Sequence, residues 1–153
     1  MKFALVIAAT ALVMGWSGMS NAAKCSGTNF NSTMHWEESE IFKGAKVAIH
    51  RHTSTIASDD PSAPYHMASG ECVGAYLIGA DGRMQASGNC ARADKDGDIL
   101  YEEWVMPLGT ALKGSWRIVG GTGKFAKATG TAQWEATLLG AKSAAVRWSG
   151  ECN

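Results

Sequence analysis

The chain is predicted to fold as one all-β domain, an eight-stranded antiparallel up-and-down (calycin-like) barrel. Three observations lead there. Short runs of alternating apolar and polar residues recur between Gly, Asp and Asn turn signals, and no long stretch repeats at the helical period. The 18 glycines and 6 tryptophans suit tight corners and cross-strand aromatic packing. Eight such runs, at about 33–42, 45–56, 65–79, 83–93, 98–107, 113–119, 130–139 and 144–152, give an even count, which lets the last strand close antiparallel on the first.

Residues 1–22 read as a secretory signal. Lys2 precedes an apolar run from Phe3 to Met14, and Ser20-Asn21-Ala22 offers small residues for cleavage after Ala22. The run is shorter than the ~20 apolar residues of a membrane span. Lys24 directly before Cys25 argues against a lipid-attachment site, and no later segment is apolar enough to span. The expected location is the periplasm or the outside of the cell, with residues 23–153 as the barrel domain. The chain's 14 Lys and Arg balance its 14 Asp and Glu, which leaves no electrostatic footprint for a nucleic acid. Nothing in the sequence calls for a cofactor.

His35 and Glu37 share one face of the first strand and His50 and His52 share one face of the second, and whether the two pairs meet depends on the turn between them. A two-residue turn at Lys43-Gly44 sets His35 against His52 and Glu37 against His50, a set of zinc or copper ligands. A three-residue turn, Phe42-Lys43-Gly44, sets Trp36 against His50 and Met34 against His52, and the cluster dissolves into ordinary strand histidines.

The third, fourth and fifth strands can be placed in register. Ala80-Asp81-Gly82 and Lys95-Asp96-Gly97 both suit three-residue hairpin loops with glycine in the left-handed position. Counting from them puts Cys72 opposite Cys90, Gly88 opposite Trp104 and Ala86 opposite Met106. One face then carries Tyr76, Ile78, Met84, Ala86, Trp104, Met106 and Leu108, and a one-residue slip would scramble it. Gly74 and Gly88 leave room for the Trp104 ring. Four cysteines in an exported chain imply two disulfides, and this register selects Cys72 with Cys90, leaving Cys25 with Cys152.

Glu102 falls beside Cys90, with Arg92 diagonal to it. A carboxylate at the edge of an apolar cavity can act as a general acid or base, while a structural ion pair with Arg92 gives the same pattern. Asp94-Lys95-Asp96-Gly97-Asp98 opens like a calcium-binding loop, but Ile99 stands where glycine is needed and Val105 where the bidentate Glu is needed, so a plain hairpin turn is expected.

Before the last two strands, Gly121-Thr122-Gly123-Lys124-Phe125-Ala126 fits the dinucleotide-binding pattern and follows a strand-like run. That motif needs a long helix, whereas Gly130 and an alternating run soon follow, and no carboxylate near position 141 is placed to hold a ribose. A phosphate-binding loop also fails, because Phe125 replaces the magnesium-binding hydroxyl. The corner is structural, with Phe125 as an apolar plug.

Val119-Gly120-Gly121-Thr122-Gly123-Lys124-Phe125, with Ala128 and Gly130, resembles the GGTGxF signature of the allene oxide cyclase and dirigent barrel superfamily. Cys90, Asp94, Asp96-Gly97-Asp98 and Trp104 resemble a second stretch found in its small exported bacterial members. The resemblance covers the C-terminal half and implies the barrel; none of the plant enzymes' catalytic residues is matched. Two functions follow as expectations. One is a non-catalytic barrel whose lumen holds a small apolar molecule against Tyr76, Ile78, Met84, Trp104 and Met106, with Trp104 weighing more than Trp134. The other, implied by the resemblance, is an isomerase or cyclase assisted by Glu102.

Overall fold

The structure is a computed structural model describing residues 22–153, so the expected secretory signal lies outside the described residues except for Ala22. The chain forms a closed antiparallel barrel in sequential order: β1 Ala23–Phe42, β2 Ala45–Ser58, β3 Ser69–Ile78, β4 Met84–Ala93, β5 Ile99–Gly109, β6 Lys113–Gly121, β7 Gly130–Gly140 and β8 Ser143–Cys152. β1 pairs with both β2 and β8, so no sheet edge runs the length of the barrel. No helix among the described residues is long and apolar enough to cross a membrane.

Both three-residue hairpins form as their Asp-Gly chemistry predicts. Gly79 N–H donates to the Arg83 carbonyl at 2.8 Å and Asp94 N–H to that of Asp98 at 3.0 Å, with Gly82 at φ 80° and Gly97 at φ 85°. The resulting ladder sets Cys72 opposite Cys90, Gly88 opposite Trp104 and Ala86 opposite Met106, as expected. Cys72 is bonded to Cys90 and Cys25 to Cys152. The second bridge fastens the start of β1 to the end of β8, the seam that closes the barrel.

Three expectations need correction. β1 begins at Ala23, ten residues before the predicted 33, because its inward positions there are Cys25, Gly27 and Asn29 while Phe30 faces out, which inverts the apolar alternation. Residues 65–68 are not strand: they close a turn through bonds such as His66 N–H to Ala63 O and Ala68 N–H to Tyr65 O. Leu108 does not point into the barrel. Pro107 cannot donate to the ladder, β5 carries one extra residue between Met106 and Gly109 relative to β4, and Leu108 is left 55 % exposed.

The two ends of the barrel differ. The β1–β2, β3–β4, β5–β6 and β7–β8 turns lie at one end, which is open. At the other end Ile56, Leu100, Phe125 and Trp148 pack into an apolar cluster with Tyr65 and Ile118. Phe125 closes a single 3-10 turn, Gly123–Phe125, far too short for a dinucleotide site. The two signature stretches build this end together: Asp98 accepts from the Lys124 N–H at 3.1 Å, Thr122 Oγ1 from the Ile99 N–H at 2.8 Å, and the Lys124 ammonium pairs with Asp94 and Asp96. A lysine, the chain's own cation, therefore sits among the aspartates of the calcium-like loop.

Candidate functional site: the barrel lumen

A cavity of about 420 Å³ occupies the open half of the barrel. Its existence follows from how the strands pair tryptophan with glycine. Trp104 lies across from Gly88 and beside Gly74, and a Cβ on either glycine would overlap its ring. Trp134 stands opposite Gly114 in the same way, and Trp148 opposite Gly27. Each ring leans over bare backbone instead of crossing the lumen, so Trp104 and Trp134 form walls and space remains between them.

The upper wall is aromatic. Trp36 meets His50 and Tyr76 edge-on, with centroids 5.3 and 5.0 Å apart, and Tyr76 reaches Trp104 at 6.0 Å. His50 and His52 stack at 4.6 Å. Burial lowers the pKa of His50, and burial followed by the charges of His50 and Arg92 lowers that of His52 to about 3, so both rings are neutral at neutral pH. Burial raises the pKa of the Tyr76 phenol, which stays protonated.

The floor is a buried ion pair. Arg92 and Glu102 are 3 % and 5 % exposed, and Arg92 Nη1 is paired with Glu102 Oε2. Arg92 Nη2 donates to Ser54 Oγ at 3.1 Å and lies 3.4 Å from Cys90 Sγ. Burial brings the guanidinium down to about 9, which still leaves it a cation at neutral pH. With both histidines neutral and Arg92 balanced by Glu102, the buried part of the lumen carries no net charge, and the remaining charged side chain on the cavity is Lys142, exposed at its rim.

The remaining candidate residues separate. Tyr76, Met84, Trp104 and Met106 line the cavity, while Ile78 is half-buried outside it. Trp134, expected to matter less than Trp104, lines the same cavity. The turn at Lys43-Gly44 is the two-residue kind, with Phe42 paired to Ala45, yet the four-ligand cluster does not assemble. A bulge at Ile41 shifts the pairing so that Trp36 faces His50, and a second at Met34 puts Thr33 opposite His52. His50 and His52 therefore line the lumen, whereas His35 and Glu37 are exposed and bonded to each other at 3.3 Å. His52 also lies near Cys72 and Cys90, but both sulfurs are committed to their disulfide.

Sequence reasoning missed Trp36, Thr33, Asn29, Asn31 and Trp116 as lining residues. The two missed tryptophans carried no glycine signal, since Trp36 pairs with His50 and Trp116 with Trp104 and Ala132. Thr33 carried none, because its direction depends on the Met34 bulge.

Chemically, the site offers one hydroxyl–imidazole contact, Thr33 Oγ1 to His50 Nε2 at 3.0 Å. His50 Nδ1 has no hydrogen-bond partner, so no third group orients the ring as an activated nucleophile requires. Glu102, the one carboxylate on the cavity, is held by Arg92.

No family model matches the chain, and no curated protein matches it by sequence. Solved structures do match in shape. The pterocarpan synthase dirigent protein GePTS1 is 17 % identical, with a TM-score of 0.53 over 99 % of this chain and 98 % of that one. A second pterocarpan synthase dirigent protein, PsPTS1, is 15 % identical, with a TM-score of 0.51 over 87 % of this chain and 95 % of that one. A pyocyanin demethylase is 12 % identical, with a TM-score of 0.47 over 84 % and 99 %. The chain thus has the closed eight-stranded barrel fold of the allene oxide cyclase-like and dirigent proteins.

Proposed function

We propose that this chain is an exported barrel that binds a small, uncharged apolar or aromatic molecule in its lumen without transforming it. The observation that carries this reading is the 420 Å³ cavity, within the size range of small-molecule sites, whose walls are aromatic and whose buried charges cancel at the floor. Beyond the rim, where Lys142 stands, a charged ligand would lose its hydration without gaining a free counter-charge. Two disulfides support an oxidising compartment, periplasmic or secreted. The test is native mass spectrometry of protein purified from that compartment. A retained small organic molecule, or uptake of one from a hydrophobic extract, is expected; the bare polypeptide mass before and after such incubation refutes the reading.

A second reading, an isomerase or cyclase, draws on the contact between Thr33 and His50 and on Glu102 beside the cavity. Binding is favoured because the hydroxyl–imidazole pair lacks an orienting partner and Glu102 is committed to Arg92. Chemical conversion of the retained molecule, abolished by Glu102→Gln in a folded protein, would establish the enzyme instead.

A further inference from the structure

We propose that the open rim of the barrel docks on an anionic lipid bilayer. Three of the four turns at this end place large apolar side chains in solvent: Phe42 is 67 % exposed, Leu138 66 %, Leu139 61 %, Ile41 56 % and Leu108 55 %. They belong to three separate hairpins, β1–β2, β5–β6 and β7–β8, yet share one end of the barrel because alternate turns of an up-and-down barrel lie together. Leu138 and Lys142 also line the cavity, so the apolar rim runs directly into its mouth.

Charge selects the partner. Lys43, Lys113 and Lys142 stand exposed in those same three hairpins, and among the described residues none of them is in an ion pair. The other rim cations are neutralised, Lys46 by Glu38 and Arg83 by Asp81. Of the rim acids outside those two pairs, Glu40 accepts from the Gly44 N–H beside Lys46 and Glu135 stands across the ladder from Lys113, so Lys43 and Lys142 are the cations farthest from compensation. At the closed end Asp59 is paired with Arg147 and Asp94 and Asp96 with Lys124, which leaves Asp60 and Asp98 outside any ion pair among the described residues. Apolar tips interspersed with unpaired lysines match a surface that is apolar inside and negative at its headgroups, where each lysine near an anionic membrane contributes about 1 kcal/mol. Lysine stems can lie along the apolar tips while the ammonium groups reach the phosphates. A barrel seated in this way would load its ligand from the acyl chains without passing it through water. That consequence rests on lumen binding, whereas the docking itself does not.

Sedimentation of the disulfide-intact protein with vesicles tests docking without any lumen ligand. Vesicles of phosphatidylcholine with added phosphatidylglycerol should carry the protein down, vesicles of phosphatidylcholine alone should carry at least tenfold less, and raised salt should release it. Lys43→Gln and Lys142→Gln should each weaken partitioning about fivefold, and Phe42→Ser with Leu139→Ser should abolish it. Lys127→Gln and Met67→Ser at the closed end should leave it unchanged. No preference for the anionic vesicles, or equal losses from rim and closed-end variants, overturns the proposal. So does a concentration-dependent dimer that Phe42→Ser disperses while vesicles are ignored, since the rim would then seat a second copy. The salt and headgroup dependence of the unaltered protein decides the matter even if a variant fails to fold. Failure of docking leaves ligand retention in the lumen untouched, so the two readings fall separately.

Discussion

Trp104 stands directly across the β4–β5 ladder from Gly88, and its ring lies over the space a Cβ on that glycine would need. The pair keeps the barrel from filling itself, because the indole is drawn onto the wall. Adding the missing methyl by Gly88→Ala forces the ring and the Val73 carbonyl to shift, at a cost of about 1–3 kcal/mol. Gly140→Ala, where nothing lies within 4 Å of the new Cβ, should fall within about 0.5 kcal/mol of the parent. Urea unfolding of both variants checks the contrast.

Glu102 and Arg92 should be strongly coupled. Removing one partner strands a buried charge, so Arg92→Met or Glu102→Gln alone should cost about 3–5 kcal/mol. The double variant Arg92→Met with Glu102→Leu should recover most of that loss, as a double-mutant cycle would show. Additive losses would mean that the pair does not form.

The two disulfides should differ in effect. Cys72 and Cys90 are 18 residues apart in sequence and Cys25 and Cys152 are 127 apart. On the loop-entropy account, losing the first costs about 3 kcal/mol and losing the second about 5 kcal/mol. Paired Cys→Ser variants compared by denaturant unfolding measure both. Peptide mapping should find Cys72 joined to Cys90 and never to Cys25.

Acid should destabilise the protein partly through His52. Its pKa is lowered from 6.5 to about 3 in the fold, so between those values the unfolded chain binds a proton that the folded one does not. The contribution of neutral His52 is complete above about pH 6.5 and drains away as pH falls toward about 3, with a slope of up to about 1.4 kcal/mol per pH unit. His52→Gln should flatten the stability profile across that window. A parallel profile would show that His52 titrates normally.

How much of this was legible in the sequence depended on where turn chemistry fixed the register. The two Asp-Gly loops located β3, β4 and β5, and with them the Cys72–Cys90 bridge and the wall at Trp104. The β1–β2 hairpin resisted because the bulges at Met34 and Ile41 carry no residue signature, and each turns every later side chain to the other face. The start of β1 was hidden because its buried positions are Gly27 and Asn29, which read as loop; the buried Asn29 side chain is satisfied by the Trp148 indole, which donates to it at 2.9 Å. Pro107 was the one visible mark of a bulge, and it moves Leu108 from the lumen to the rim.

The central claim is that the space between these walls is a binding site. It is tested most directly by titrating an uncharged fluorescent aromatic, N-phenyl-1-naphthylamine, into the parent protein and into Ala136→Trp, whose new ring would fill the cavity that Ala136 lines. The account predicts saturable one-to-one binding to the parent, weakened by Trp104→Ala and abolished by Ala136→Trp with the fold intact. Binding that survives the filled lumen, or no saturable binding to the parent, would contradict it.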